Sequence, residues 1–135
     1  MPGKPIRTEV RSRTLKSVVD NCHPYYLTKV EGRVHVNPNT VVVVIDVIEN
    51  DREAFAAVLS HELGHVALDH FGIQLFPKEL EAWLWGLRHL RQQPLWDELD
   101  KYKVFCFASE CLFTYRSTRE EKVRAYESLA QSIVG

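Results

Sequence analysis

The stretch AFAAVLSHELGHVALDH, residues 54–70, carries three histidines and two acidic residues among side chains that are otherwise typical of a helix core. Its apolar residues recur at helical spacing, at positions 55, 58, 59, 63, 66 and 67. An acidic start at Asp51 suits a helix N-terminus, and Phe71-Gly72 is typical of a helix stop. Polar side chains inside such a run cost free energy unless something pairs with them, which indicates a functional site.

His61, Glu62 and His65 form the pattern HExxH. Positions i and i+4 share one helix face, so both imidazoles can reach one metal ion. Two imidazoles and a third protein ligand bind zinc with one corner left for water, whose pKa then falls toward ~7. Glu62 is the candidate general base for that water. Gly64 would let another backbone segment approach the helix closely. The alternative is a surface helix with incidental histidines.

The third ligand is open on spacing alone. A pattern in which the third ligand is a histidine six residues after His65 is excluded, because position 71 is Phe71. His70 points about 140° away from His65 if the helix continues, so a solvated histidine at the helix end is the favoured interpretation. Glu79 and Glu81 follow in the next predicted helix and point about 200° apart, so only one can face the metal. Spacing favours Glu79 weakly.

The N-terminal half predicts one short helix and three strands. Spaced apolar residues predict the helix over 12–22. Two short β-prone runs within 26–36 flank Glu31-Gly32 and predict a hairpin that turns there. Asn37-Pro38-Asn39 predicts another turn, and the β-branched run at 41–47 predicts a strand. That strand is either a core strand, which is favoured, or a sheet edge able to pair with an extended substrate.

The C-terminal half predicts helices. Pro77 opens a second helix that runs to residue 92. Most of the chain after Pro94 also reads as helix, with a capping-box pattern from Thr118 to Glu121. The predicted fold class is therefore α+β: a small three-stranded sheet with a β-hairpin packed on the HExxH helix, followed by further helices. The length of 135 residues predicts a single domain, residues 1–135.

Composition excludes several classes of protein. A net charge of −1 and a pI near 6.6 leave no electrostatic footprint for direct binding of nucleic acid. No apolar run reaches the ~20 residues of a membrane span, and the N-terminus lacks the apolar segment of a signal peptide. The three cysteines match no zinc-ribbon spacing and predict reduced thiols in a cytoplasmic protein. One basic cluster is interpreted as a solvated face: Lys4, Arg7, Arg11, Arg13 and Lys16.

Three motifs together, RVHVNPNT, AFAAVLSHELGHVALDH and ELEAW, resemble the ImmA/IrrE family of small zinc metallopeptidases, which is common in phages and mobile elements. The resemblance covers roughly residues 25–92. It implies a hairpin leading into the HELGH helix and a following helix with an E-x-x-A motif, here Glu79-Leu80-Glu81-Ala82. In that family the glutamate of E-x-x-A joins the two histidines, so the resemblance implies Glu79 as third ligand. It also implies a protein substrate, such as a helix-turn-helix repressor.

The chain departs from the family pattern after this motif. Many relatives continue with asparagine and then Phe-Ala, whereas this chain has Trp83-Leu84-Trp85-Gly86, and the closing Leu-Met-Pro is absent. These departures concern contacts to the substrate and leave the ligand assignment unchanged. Trp83 and Trp85 are interpreted as core, with a binding cage as the alternative. The run around Cys106 and Cys111 is likewise interpreted as core.

The sequence as a whole predicts a zinc metallopeptidase in which Glu62 deprotonates water and His61, His65 and Glu79 hold Zn²⁺. Such His₂Glu sites also accept cobalt, manganese or nickel. Two alternatives stay open: a zinc-containing regulatory or toxin-antitoxin module without turnover, and a structural zinc site completed by His70. A second donor for the oxyanion is also expected, and five residues are candidates for it: His23, Tyr25, Tyr26, His35 and Tyr102.

Overall fold

The structure, a computed structural model, describes residues 4–12, 30–36 and 39–134. Within them, three strands come first: β1 (Ile6–Ser12), β2 (Val30–Val36) and β3 (Val41–Val47). Four α-helices follow: α1 (Arg52–Ala67), α2 (Phe76–Arg91), α3 (Lys101–Leu112) and α4 (Arg119–Val134). A 3₁₀ helix, Pro94–Glu98, lies between α2 and α3. The predicted α+β class with a three-stranded sheet is confirmed.

The strand β3 lies in the centre of the described sheet. β1 pairs with it in parallel, Ile6 opposite Val41, and β2 pairs with it antiparallel, Val30 opposite Val47. On one face of this strand, Val41, Val43 and Ile45 pack in a core cluster with Ala54, Val58 and Val66, which lie at 52–67. The prediction of a core strand at 41–47 is confirmed, and the alternative of a sheet edge is wrong.

The hairpin is real, but its predicted position is wrong. β2 runs without interruption from Val30 to Val36, and the chain reverses at residues 37–40, in part outside the described residues. Gly32 lies inside β2, at the point where α1 packs directly on the strand and leaves no space for a side chain. A Cβ there would lie 2.6 Å from Val58 Cγ1 and 2.7 Å from Glu62 Cγ. The glycine therefore marks a close approach of helix and strand, and not a turn.

β1 is a strand that the sequence did not predict. The helix expected over 12–22 lies outside the described residues, apart from Ser12, which ends β1. Most of β1 is exposed, so it lacks the alternation of apolar residues by which a strand is recognised. Arg11 and Glu9 form an exposed ion pair on β1 at 2.7 Å, in agreement with a solvated basic face.

Helix α1 is buried around most of its circumference because it lies between two layers. Toward the sheet it packs against Val41, Val43 and Ile45. On its other side Ala56 and Ala57 join the larger core. The segment from α2 to α4, with the 3₁₀ helix, supplies eleven further buried side chains: Phe76, Trp83, Leu87, Leu90, Trp96, Leu99, Val104, Ala108, Leu112, Ala125 and Leu129. Polar groups in the middle of α1 are therefore shielded from solvent on both sides.

Two glycines set the distance between α1 and α2. A Cβ on Gly64 would lie 2.5 Å from the carbonyl oxygen of Ala82, and one on Gly86 would lie 2.7 Å from the carbonyl oxygen of Ser60. The predicted close approach at Gly64 is confirmed, and the approaching segment is α2. This contact places the first half of α2 directly against the HExxH side chains.

The helix termini follow their local signals, with one exception. The side chain of Asp51 caps α1 by accepting from Ala54 N–H at 3.0 Å. Thr118 and Glu121 form the predicted reciprocal capping box. α1, however, ends at Ala67, before the expected stop at Phe71-Gly72, because Asp69 adopts a left-handed conformation with φ 57°. None of the helices in the described chain is both long and apolar enough to span a membrane.

Candidate metal centre

Three buried side chains converge where α1 faces α2. His61 Nε2 and His65 Nε2 lie 3.1 Å apart on one face of α1. Glu79, from the first turn of α2, places Oε1 3.2 Å from His61 Nε2 and Oε2 2.6 Å from His65 Nε2. Among the described residues, these three form the cluster that could hold a metal ion.

The spacing of these atoms fits a tetrahedral metal ion. Bonds of 2.0–2.1 Å at tetrahedral angles put ligand atoms about 3.3 Å apart. The distances of 3.1 and 3.2 Å are close to that value, whereas the 2.6 Å between His65 Nε2 and Glu79 Oε2 is a direct hydrogen-bond distance, which an ion would have to widen. All three side chains are at most 7% exposed, and buried charge of this kind is normally paired or bound to metal. The donor set fits a divalent cation.

Glu79 supplies a negative charge to this cluster. Burial favours its neutral form, but hydrogen bonds from His61 and His65 outweigh burial and hold the pKa of Glu79 well below its usual range. Glu79 therefore stays ionised at neutral pH. Glu81 has a side chain that is 59% exposed and points elsewhere, so the structure brings Glu79 and not Glu81 to both histidines.

Trp83 holds the first histidine by stacking. Its ring lies 4.0 Å from that of His61 at an interplanar angle of 23°. No hydrogen-bond partner of His61 Nδ1 is found among the described residues, so this stacking contact orients the ring in place of a hydrogen bond. The core interpretation of Trp83 is confirmed, since it is 2% exposed. Trp85 stacks on His89 instead, so the two tryptophans form no common cage.

Glu62 lies beside the cluster and is also buried. Burial raises its pKa, the charges of His61 and His65 oppose this effect, and the negative charge of Glu79 adds to it. Gly32 of β2 leaves the space that the Glu62 side chain occupies. A carboxylate in this environment is a stronger base than one in water, which is the property a general base needs.

An open pocket of about 240 Å³ connects this cluster to solvent. Its wall combines β2, α1, α2, the loop between the two helices and one residue from beyond α3: Gly32, Arg33, Val34, Glu62, His65, His70, Phe71, Gly72, Gln74, Glu79 and Tyr115. Arg33 pairs with the buried carboxylate of Asp46, which anchors the strand side of the pocket. Glu62, His65 and Glu79 therefore all line one open pocket.

Residues 29–95 match the family model of peptidase family M48. The matched segment contains β2, β3, α1 and α2. It therefore includes the three residues of the cluster and also Glu62. The match supports a metallopeptidase. M48 peptidases depend on a metal, in agreement with the donor set of His61, His65 and Glu79.

The match has limits. It covers just under half of the 135 residues, and it does not single out the ImmA/IrrE type that the motifs resemble. Neither a curated protein nor a solved structure matches the chain. The fold adds two residues beside this candidate site, Tyr115 and His70. The sequence analysis did not single out Tyr115.

Tyr115 is the residue that sequence reasoning missed. It follows α3, outside the matched segment, and lines the pocket beside Glu62 and Glu79. Burial, the charge of Glu79 and a hydrogen bond with Glu79 raise the pKa of Tyr115, so its phenol keeps its proton. No local motif marks this tyrosine, because only the return of the chain after α3 brings it to the cluster.

Of the five sequence candidates for the oxyanion donor, two fall in the described chain, His35 and Tyr102, and neither lines the pocket. Tyr102 is 75% exposed. His35 is exposed and accepts a hydrogen bond from Arg33 Nε at 3.1 Å. The other three, His23, Tyr25 and Tyr26, lie outside the described residues.

His70 lies next to His65 but outside the metal-binding cluster. Its Nδ1 is 3.3 Å from His65 Nδ1, the ring nitrogen that points away from His61 and Glu79. The angle of about 140° holds only for a continuing helix, and α1 ends at Ala67. The interpretation of His70 as a solvated histidine is wrong, because its side chain is 9% exposed and contacts His65.

Cys106 and Cys111 carry free thiols and do not join the cluster. Burial, followed by the negative charges of Glu110, Glu31 and Glu79, raises the pKa of Cys111 to about 12, so its thiol stays protonated. Both cysteines are half-buried on α3, and Cys111 packs against the larger core, as the core interpretation of this run predicts.

Proposed function

We propose that this chain is a zinc-dependent metallopeptidase in which His61, His65 and Glu79 bind the metal and Glu62 is the general base. The observation that carries the proposal is the convergence of three buried donors beside a buried carboxylate at the base of an open pocket. A zinc ion held there would polarise the substrate carbonyl and lower the pKa of bound water.

The residues of the chain divide the remaining work. Glu62 takes the proton of the attacking water and passes it to the leaving amine, a role favoured by its raised pKa. Without substrate the Tyr115 phenol is hydrogen-bonded to Glu79, and with substrate its single proton would turn to the oxyanion that develops, since the phenol is protonated and lines the pocket. The pocket-lining stretch 32–34 of β2 supports an extended peptide in the pocket.

A structural zinc site is disfavoured by the position of His70. Its Nδ1 approaches His65 from the side opposite to the cluster, so it is not placed to complete a closed set of four protein ligands. The regulatory module without turnover differs from the peptidase only in activity. A helix-turn-helix repressor as substrate, an ImmA/IrrE-type relationship, a phage or mobile-element origin and a cytoplasmic location rest on sequence alone and stay predictions.

Metal analysis of purified full-length variants tests the ligand set. We expect about one zinc per chain in wild type and in Glu62→Gln at saturating zinc, and loss of zinc in His65→Ala and Glu79→Ala, because each of these removes a donor. Lys78→Ala, at an exposed position one residue before Glu79 on the same helix, is the matched control and should keep its zinc. Zinc retained by Glu79→Ala but lost by Glu81→Ala would refute the assignment, and a wild type without metal would refute the proposal.

Tyr115→Phe is expected to lower kcat by roughly 10²-fold with an unchanged zinc content, because it removes a donor to the oxyanion and keeps the ring. Hydrolysis of labelled casein or of a mixed quenched-fluorescent peptide library provides the measurement. Tyr102→Phe, at an exposed position of α3, is the matched control and should behave as wild type. Equal activity of the two variants would remove Tyr115 from the mechanism.

A further inference from the structure

His65 makes contacts on both of its ring nitrogens. Its Nε2 faces the metal-binding cluster, 3.1 Å from His61 Nε2 and 2.6 Å from Glu79 Oε2. Its Nδ1 lies 3.3 Å from Nδ1 of His70, and the two rings meet edge to face at 62°. The second nitrogen of His65 is therefore held by another imidazole.

The end of helix α1 creates this contact. The His70 N–H donates to the carbonyl of His65 at 2.8 Å, and the Asp69 N–H donates to that of Val66 at 3.2 Å. With Asp69 at φ 57°, these two bonds form a Schellman motif, in which the chain reverses across the last helical turn. The reversal brings the His70 ring back to the side of His65, which a continued helix could not do.

The remaining nitrogen of His70 leads to α2. His70 Nε2 lies 3.5 Å from Glu81 Oε2, and the His70 ring is 9% exposed. Gln74 Nε2 also donates to the backbone carbonyl of His70 at 3.2 Å, which ties the loop to this position. A chain of three side chains thus runs from His65 through His70 to the carboxylate of Glu81.

The proton positions in this chain are mutually consistent. A histidine that binds metal through Nε2 carries its proton on Nδ1, so His65 donates and His70 Nδ1 accepts. The proton of neutral His70 then lies on Nε2, where it faces the carboxylate of Glu81. Each side chain therefore selects the tautomer that its neighbour requires.

We propose that His70 and Glu81 are positioning residues that fix the tautomer and the ring angle of His65 for metal binding. This inference rests on the proposed metal site. Neither residue touches the ion, yet both determine how tightly it is held, since partners of ligand histidines typically change metal affinity by about 10–100-fold. His61 lacks such a partner among the described residues and is oriented by Trp83, so the two ligand histidines are held by different devices.

Zinc dissociation constants, measured by competition with a fluorescent chelator on the full chain, test this role. His70→Leu removes the acceptor, and we expect zinc to bind about 10–100-fold more weakly. His70→Asn keeps an acceptor oxygen near the position of Nδ1 and should restore most of the affinity. Glu81→Ala, at an exposed position that the fold tolerates, should weaken binding by roughly twofold to tenfold.

Urea unfolding of the metal-free variants separates positioning from folding. Equal stability of metal-free His70→Leu and His70→Asn, with different zinc affinities, would support the proposal. Wild-type affinity in His70→Leu, or equal losses in the leucine and asparagine variants, would overturn it. Should His70→Leu fail to fold, the comparison of His70→Asn with Glu81→Ala decides, and wild-type affinity in Glu81→Ala counts against the proposal. A wild type that binds no zinc is a separate result, which removes the metal site itself.

Discussion

Glu62→Gln is expected to lower peptide hydrolysis by about 10²–10⁴-fold while the chain stays folded and keeps its metal. Glutamine has the shape of glutamate, so it still fits the space that Gly32 leaves between β2 and α1. Its amide cannot accept a proton from water, however, so the variant lacks the basic carboxylate whose pKa burial raises in wild type. Hydrolysis of the peptide library and zinc content, measured on the same preparation, check both parts of the prediction.

Glu110→Gln is a suitable control, because it makes the same change at an exposed carboxylate on α3. Glu110 does not line the pocket. We expect its activity to equal that of wild type. If wild type were inactive on every peptide while Glu62→Gln still bound zinc as wild type does, the regulatory module without turnover would be the better description. Activity retained by Glu62→Gln would exclude Glu62 as the base.

Gly64→Ala is expected to destabilise the fold by about 2 kcal/mol. The added Cβ would lie 2.5 Å from the carbonyl oxygen of Ala82, which is backbone and cannot rotate away. Overpacking of this kind costs up to about 3 kcal/mol, and the better helix propensity of alanine offsets roughly 1 kcal/mol of that cost. Urea unfolding provides the free energy of unfolding.

The same substitution should also weaken zinc binding, because moving α2 away from α1 carries Glu79 away from the histidines. Gly86→Ala tests whether the whole interface behaves alike, since its Cβ would lie 2.7 Å from the carbonyl oxygen of Ser60. Gly72→Ala is the contrasting case: its φ of 94° strains an alanine, but nothing lies within 4 Å of the new Cβ. A Gly64→Ala protein as stable as wild type would contradict the close approach of the two helices.

The local signals of the sequence were sufficient for several elements. The apolar period and the acidic cap at Asp51 predicted the start of α1, and Pro77 predicted the start of α2 to within one residue. The capping box from Thr118 to Glu121 was predicted from residue types alone. Each of these features depends on residues within about one helical turn of each other, so the sequence contains all the information needed.

Other features misled because one residue type serves two purposes. Gly32 was interpreted as a turn, yet it lies within β2 to admit the side chains of α1. Asp69 carries no strong signal for a helix end, yet it adopts the left-handed conformation that turns His70 toward His65. For Gly32 the deciding neighbour is α1, which belongs to another element. For Asp69 the left-handed conformation competes with continuation of the helix, and the residue pattern does not show which of the two wins.

The sequence by itself determined that His61 and His65 share one face of a helix, with Glu62 beside them, because residues four apart in a helix lie one turn apart on the same face. Only the tertiary structure decided which acid joins them, which tyrosine faces them and what supports them from behind. Those relations depend on how closely α2 approaches α1 and where the chain returns after α3. The distance between two helices is set by side chains far apart along the chain, and no local period encodes it.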